Sequence, residues 1–184
     1  MNEGSGPHRH EQQGGSGEAH SLRSERTRQV AVIGPSGAEL GSEAAVLGEE
    51  VGRLLAEAGV TVVCGGMGGT MAAACRGASQ AGGEAIGIVP GHEVGEANEF
   101  CTHVVATGIG HARNLAVVAS GEAVIAIGGE WGTLSEIGFA RTIGRTVIAL
   151  RSWQLNGREK MEGAPGVVTA ESAREAVALA LESL

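Results

Sequence analysis

The sequence predicts an α/β fold, a doubly wound, mostly parallel sheet of about six to seven strands with helices on both faces. Three observations carry that prediction. Short runs rich in β-branched residues alternate with longer amphipathic segments, the pattern of successive βαβ units whose sheet is covered on both sides. Glycine clusters stand where runs give way to helical segments, at 34–37, 65–69 and 128–132. The chain has 32 glycines but only two Trp, two Phe and no Tyr in 184 residues, which suits tight turns and a core of Ala, Val and Ile.

Residues 1–28 hold Gly, Ser, Glu, Gln, Arg and three histidines with few apolar side chains, and are expected to form a disordered polar tail. Residues 29–184 are expected to form a single domain. Val30–Ile33 is a short buried strand closed by Gly34-Pro35-Ser36-Gly37. Residues 42–58 place Val46, Val51, Leu54 and Leu55 near helical spacing and end at Gly59, a helix with a glycine stop. Val60–Cys64 is the second strand, followed by Gly65-Gly66-Met67-Gly68-Gly69 and an alanine-rich helix to about Ala81. Ala85–Val89 is the third strand, and His103–Ala106, after a Glu-rich connection, the fourth. A helix over 110–120 leads to the buried strand Ala123–Ile127, and the next helix opens at about Gly132-Thr133. Thr146–Leu150 and Gly166–Thr169 are the last strands, and a helix over 171–183 has Thr169 as its expected cap.

Several function classes are excluded by what is missing. No Gly-Lys pair exists, so there is no P-loop. Lys160 is the only lysine and stands in a polar segment, which argues against Schiff-base or pyridoxal-phosphate chemistry. A net charge of −8 argues against a nucleic-acid surface. Cys64, Cys75 and Cys101 form no C-x-x-C pair, and an odd count suits a reducing cytoplasm better than a disulfide framework. No run approaches the roughly 18 apolar residues of a membrane span, and no signal-peptide core is evident, so the expected location is cytoplasmic. His8, His10 and His20 lack supporting Cys or carboxylate geometry and read as solvated, so no metal site is expected.

The stretch from Ala123 to Glu136 is the most informative. A strand that breaks through Gly128-Gly129 into a helix start leaves backbone N–H groups at the positive end of a helix dipole, a seat for phosphate. Glu136 lies near that mouth. Thr133-x-x-Glu136 also fits a capping box, in which Thr133 caps the helix and Glu136 reaches back to the cap N–H. Three glycine turns on the carboxyl edge of one parallel sheet, where ligands of such sheets bind, favour an anion-binding mouth. Its candidate residues are Gly34, Ser36, Gly65, Gly66, Gly69, Thr70, Gly128, Gly129, Gly132 and Thr133. Gly65–Gly69 is not a dinucleotide fingerprint: Met71 stands where the last glycine belongs, and no acid follows near Val89. Arg113 stands at a helix start, where the dipole offers a cation nothing. A bound phosphate or a carboxylate, with Glu136 the obvious candidate, accounts for it; a solvated arginine is the alternative. His111 reads as a polar cap.

These motifs resemble those of the LONELY GUY-like (LOG) superfamily, once labelled "possible lysine decarboxylase". Its glycine loop GGGxxGLMG, helix start MHxRK and PGGxGTxxE signature correspond in order to Cys64–Ala72, Gly110–Asn114 and Gly128–Glu136. The resemblance covers roughly residues 29–150 and implies a Rossmann-like fold and a homodimer or homotetramer. It makes Arg113 and Glu136 the catalytic pair, and Gly129, Gly132 and Thr133 the phosphate loop. Asn114 replaces the family's lysine, Gly128 its proline and Glu130 a loop glycine. The departures resemble the branch of bacterial relatives of the molybdenum-cofactor carrier proteins. The resemblance thus implies a binder of a small phosphorylated ligand, a nucleotide or a molybdopterin-type cofactor, with no other cofactor required. The alternative is a nucleoside 5′-monophosphate phosphoribohydrolase of the cytokinin-activating type. The lone Lys160 speaks against the decarboxylase label.

Overall fold

The computed structural model describes residues 1, 27–153, 155 and 166–184. Residues 2–26 of the expected tail, with its three histidines, and Lys160 lie outside the described residues.

The strands are β1 (Gln29–Ile33), β2 (Thr61–Cys64), β3 (Ala85–Val89), β4 (His103–Ala106), β5 (Ala123–Ile127), β6 (Thr146–Leu150) and β7 (Val167–Ala170). They form one sheet in the order β4-β3-β2-β1-β5-β6-β7. Every pairing is parallel, so "mostly parallel" understates it. The helices are α1 (Glu43–Glu57), α2 (Gly69–Gln80), α3 (Arg113–Ser120), α4 (Trp131–Thr142) and α5 (Ala173–Glu182).

The period of two along each strand divides the core into two layers. Val30 and Val32 of β1, with Ile125 and Ile127 of β5, face Val51, Leu55, Ala74 and Ala176 on α1, α2 and α5. Ala31, Ile33, Val124 and Ala126 face Val117, Val118, Ile137 and Ala140 on α3 and α4. Every side chain of β5 is fully buried, hence its uninterrupted apolar run. Helices α1 and α2 approach at backbone distance: a Cβ at Gly52 would collide with the Ala74 carbonyl, and one at Gly77 with that of Glu49. The small-residue composition is therefore a packing requirement.

Two helix boundaries away from the α4 start differ from expectation. Residues 110–120 divide into a 3₁₀ turn, Gly110–Ala112, and α3, whose first residue is Arg113. Thr169 belongs to β7, and the cap of α5 is Ser172, whose Oγ accepts from the Glu175 N–H at 3.2 Å. Sheet pairing takes Thr169, and the next hydroxyl free to face the orphan amides does the capping.

Candidate functional site

Successive connections run outward in opposite directions from β1 and from β5, which lie side by side. Their carboxyl ends therefore form the switch point at which open α/β sheets bind ligands. A cleft of about 200 Å³ lies there. One wall is the Gly34-Pro35-Ser36 turn after β1. The facing wall is the start of α4, with Glu130, Gly132, Thr133 and Glu136. Met67 and Met71 border it, as do Pro90, His111, Arg113 and Asn114.

Arg113 forms the floor and is buried. Its Nη2 donates to the Gly65 carbonyl at 3.2 Å and its Nη1 to Asn114 Oδ1. Nη1 also stands 3.6 Å from Glu136 Oε1. The carbonyl, amide and carboxylate replace the water that a buried guanidinium loses. Gly65 makes the seat possible: a Cβ there would lie 2.6 Å from Arg113 Nη2. Burial lowers the Arg113 pKa, and the Glu136 charge opposes that. Glu136 is only 7% exposed, and burial pushes its carboxyl up to about 7 against the opposing pull of Arg113. Desolvation thus outweighs the ion pair.

Helix α4 opens earlier than expected, at Trp131 with Glu130 as its cap residue, and no side chain bonds the cap. The first intrahelical bond runs from the Leu134 N–H to the Glu130 carbonyl at 3.0 Å. Thr133 is therefore inside the first turn, and the capping-box reading is corrected: Glu136 faces Arg113 instead. The buried Thr133 Oγ1 and Arg113 Nε have no hydrogen-bond partner among the described residues. With the free first-turn amides of α4, they supply donors for an anion. Glu130 is exposed at the positive end of the helix, where the dipole favours its charge.

Of the residues singled out in the sequence, Gly34, Ser36, Arg113, Gly132, Thr133 and Glu136 line the cleft. Gly65 meets it through Arg113. Gly66, Gly69, Thr70, Gly128 and Gly129 lie outside its lining. The Gly66 carbonyl accepts from Asn98, Gly69 packs on the Pro35–Ser36 backbone, and Gly129 lies against Trp153. Thr70 is fully buried, its hydroxyl without a hydrogen-bond partner among the described residues. Gly128 has φ +62°, which a proline ring cannot adopt, so this loop takes a path closed to the family's proline. Sequence reasoning missed the part played by Asn114. The residue in the lysine's place is buried and orients Arg113. It also missed that the three cysteines meet. Cys64 and Cys75 sulfurs are 3.3 Å apart, Cys75 and Cys101 3.7 Å. Their separations of 11 and 26 residues carry no motif signal.

The fold has recognisable counterparts. The chain is 39% identical over 123 residues, 67% of its length and 80% of the relative's, to an uncharacterised protein of Archaeoglobus fulgidus. It is similar to the molybdenum cofactor binding protein of Rippkaea orientalis, at 31% identity and TM-score 0.76, covering 86% of this chain and 98% of that one. It is also similar to the molybdenum cofactor carrier protein of Chlamydomonas reinhardtii, at 28% identity and TM-score 0.73, covering 85% and 98%. The LOG-like, carrier-like resemblance of the motifs is thus matched across the whole fold. A family model, SLOG cluster4 (LDcluster4), matches residues 27–177, and the chain belongs to that family.

Proposed function

We propose that this protein is a binding or carrier protein for a phosphorylated, nucleotide-like ligand, with a molybdopterin-type cofactor as the favoured cargo. One observation carries the reading. The buried Arg113–Glu136 pair, with unpartnered donors on Arg113 and Thr133, faces an open helix N-terminus at the sheet's switch point. A phosphate there takes the α4 amides and the Thr133 hydroxyl, and Arg113 supplies the fixed charge. The cleft is smaller than the roughly 300 Å³ of the smallest usual ligand pockets, so it suits the phosphate end. Trp131, 78% exposed and 5.6 Å from the Trp153 ring, is the surface on which a heterocycle can lie. The names of the Rippkaea and Chlamydomonas proteins support this cargo class. The homo-oligomer implied by the resemblance belongs to the same proposal, as do the small-ligand partner and the cytoplasmic location. Among the described residues no helix is long and apolar enough to cross a membrane.

Phosphoribohydrolysis is the second reading, favoured by a Glu136 carboxyl near pH 7, where general acid–base groups work best. Water would attack the ribose anomeric carbon as the N-glycosidic bond breaks, and the base would leave with a proton. Asn114 and Glu130, in place of a lysine and a glycine, weigh against it.

Thermal shift with ribose 5-phosphate, AMP and inorganic phosphate, alongside native mass spectrometry of the purified protein, tests the proposal. A hundredfold excess over Kd stabilises by about 2.7 kcal/mol. No stabilisation by any phosphorylated compound defeats it. Release of adenine from AMP, lost in Glu136→Gln, would establish the hydrolase instead.

A further inference from the structure

The strongest feature unused by the cleft is the sulfur cluster behind the second glycine turn. Cys64 ends β2, Cys75 lies in α2 and Cys101 precedes β4. Their three Sγ atoms lie within 4.8 Å of one another, with contacts of 3.3 and 3.7 Å. A metal bound to sulfur at about 2.3 Å holds its ligands about 3.8 Å apart at tetrahedral corners and about 4.0 Å apart at trigonal ones. The triangle needs only a small adjustment to reach either.

We propose that Cys64, Cys75 and Cys101 form a binding site for a soft, thiophilic monovalent cation, with Cu(I) as the ion that fits best. Three features distinguish this arrangement from cysteines packed as small apolar side chains. The sulfurs receive N–H groups: the Gly66 amide points at Cys64 Sγ at 3.3 Å, and the Asn98 side-chain amide at Cys75 Sγ at 3.9 Å. Such outer partners orient ligating thiolates and offset their charge. β3 leaves room for the third sulfur, because a Cβ at Gly87 would lie 2.6 Å from Cys101 Sγ. Cys64 and Cys75 are fully buried, whereas Cys101 is partly exposed, so the cluster has a dry interior and one side from which an ion can enter.

The donor set selects the ion. Among the described residues no histidine, carboxylate or fourth cysteine joins the group, and structural zinc asks for four ligands. Thiolates alone favour Cu(I), which is satisfied by three. Each thiol that ligates as thiolate gives its proton to solvent, and no change of oxidation state is involved.

The test uses the full-length chain, reduced and freed of metal under anaerobic conditions. Cu(I) is supplied as its bathocuproine disulfonate complex, whose loss of colour reports transfer to protein. Expected results are one Cu(I) per folded chain, an ultraviolet thiolate-to-copper band and a three-sulfur shell by X-ray absorption. Cys101→Ser, at the partly exposed position, should keep the parent's circular dichroism and melting temperature while weakening Cu(I) retention at least tenfold. Cys75→Ser should abolish the three-sulfur shell. The variants keep the histidines of residues 1–28, so copper held there appears equally in all. The proposal is overturned if the folded, reduced parent yields all its Cu(I) to the chelator, or if both variants retain as much as the parent. It is equally overturned if the cysteines form a disulfide under mild oxidation and take no Cu(I) when reduced.

Discussion

Replacing Glu136 with glutamine should stabilise the protein above neutral pH. The carboxylate is buried against α3, and burial raises its pKa from 4.5 to about 7. Between those values the native chain binds more protons at this site than the unfolded chain, so stability falls as pH rises through the window. At about 1.4 kcal/mol per pH unit, the ionised carboxylate costs about 3 kcal/mol once the pH exceeds 7. Its attraction to Arg113, 3.6 Å away, already opposes that cost in the value near 7. Glutamine keeps the side-chain length and removes the charge. Parent and variant should therefore have similar stabilities near pH 4.5, diverge up to about pH 7 and keep a nearly constant gap from there to pH 8. For a chain of this size the gap corresponds to about 6–12 °C in Tm. Urea unfolding from pH 4.5 to 8 measures it directly. Parallel curves would refute the reasoning, because they would show that Glu136 titrates as a solvated carboxyl. Ligand affinity of the same two proteins, measured at pH 8, tests the proposed role of this carboxylate in the site: equal affinity would count against it.

The other predictions concern smaller parts of the site. A Cβ at Gly132 meets no atom within 4 Å, so Gly132→Ala should match the parent in stability or gain up to ~1 kcal/mol from helix propensity. By filling the phosphate approach, it should weaken ribose 5-phosphate binding at least tenfold by calorimetry; unchanged affinity would remove the α4 start from the site. Gly65→Ala forces the Arg113 guanidinium from its seat and should lower stability by about 1–3 kcal/mol, read by urea unfolding. Ser42→Ala deletes the acceptor for the Ala45 N–H at the start of α1 and should cost about 1 kcal/mol, with binding intact. Removing residues 1–26 should leave Tm and phosphate binding unchanged, as their polar composition predicts; a loss of either would show that this segment packs on the domain.

What could be read from the sequence was local. The βα joins are legible because a β-branched run, a glycine turn and a helical period are contiguous, and each is a short-range consequence of backbone sterics. Arg113 and Glu136 could be paired in advance because each stands near a helix start on the same sheet edge, and the dipole leaves the arginine in need of an anion. The exact start of α4 was not legible. Thr133-x-x-Glu136 satisfies the capping pattern on paper, yet the helix begins at Trp131 and buries the threonine.

Sequence by itself determined the alternation of strands and helices, the carboxyl-edge position of the glycine turns, and the chemistry absent from the chain. Only tertiary structure decided that β5 lies beside β1, because strand order follows from how the faces of βαβ units pack and leaves no mark in local composition. That neighbour relation opens the cleft between Ser36 and Gly132. It also let burial, not charge pairing, set the Glu136 pKa, since desolvation depends on everything packed around a group. The cysteines followed the same rule. Three thiols from a strand end, a helix and a loop meet because α2 and the approach to β4 both pack at the end of β2, a distance relation that spacing along the chain does not encode.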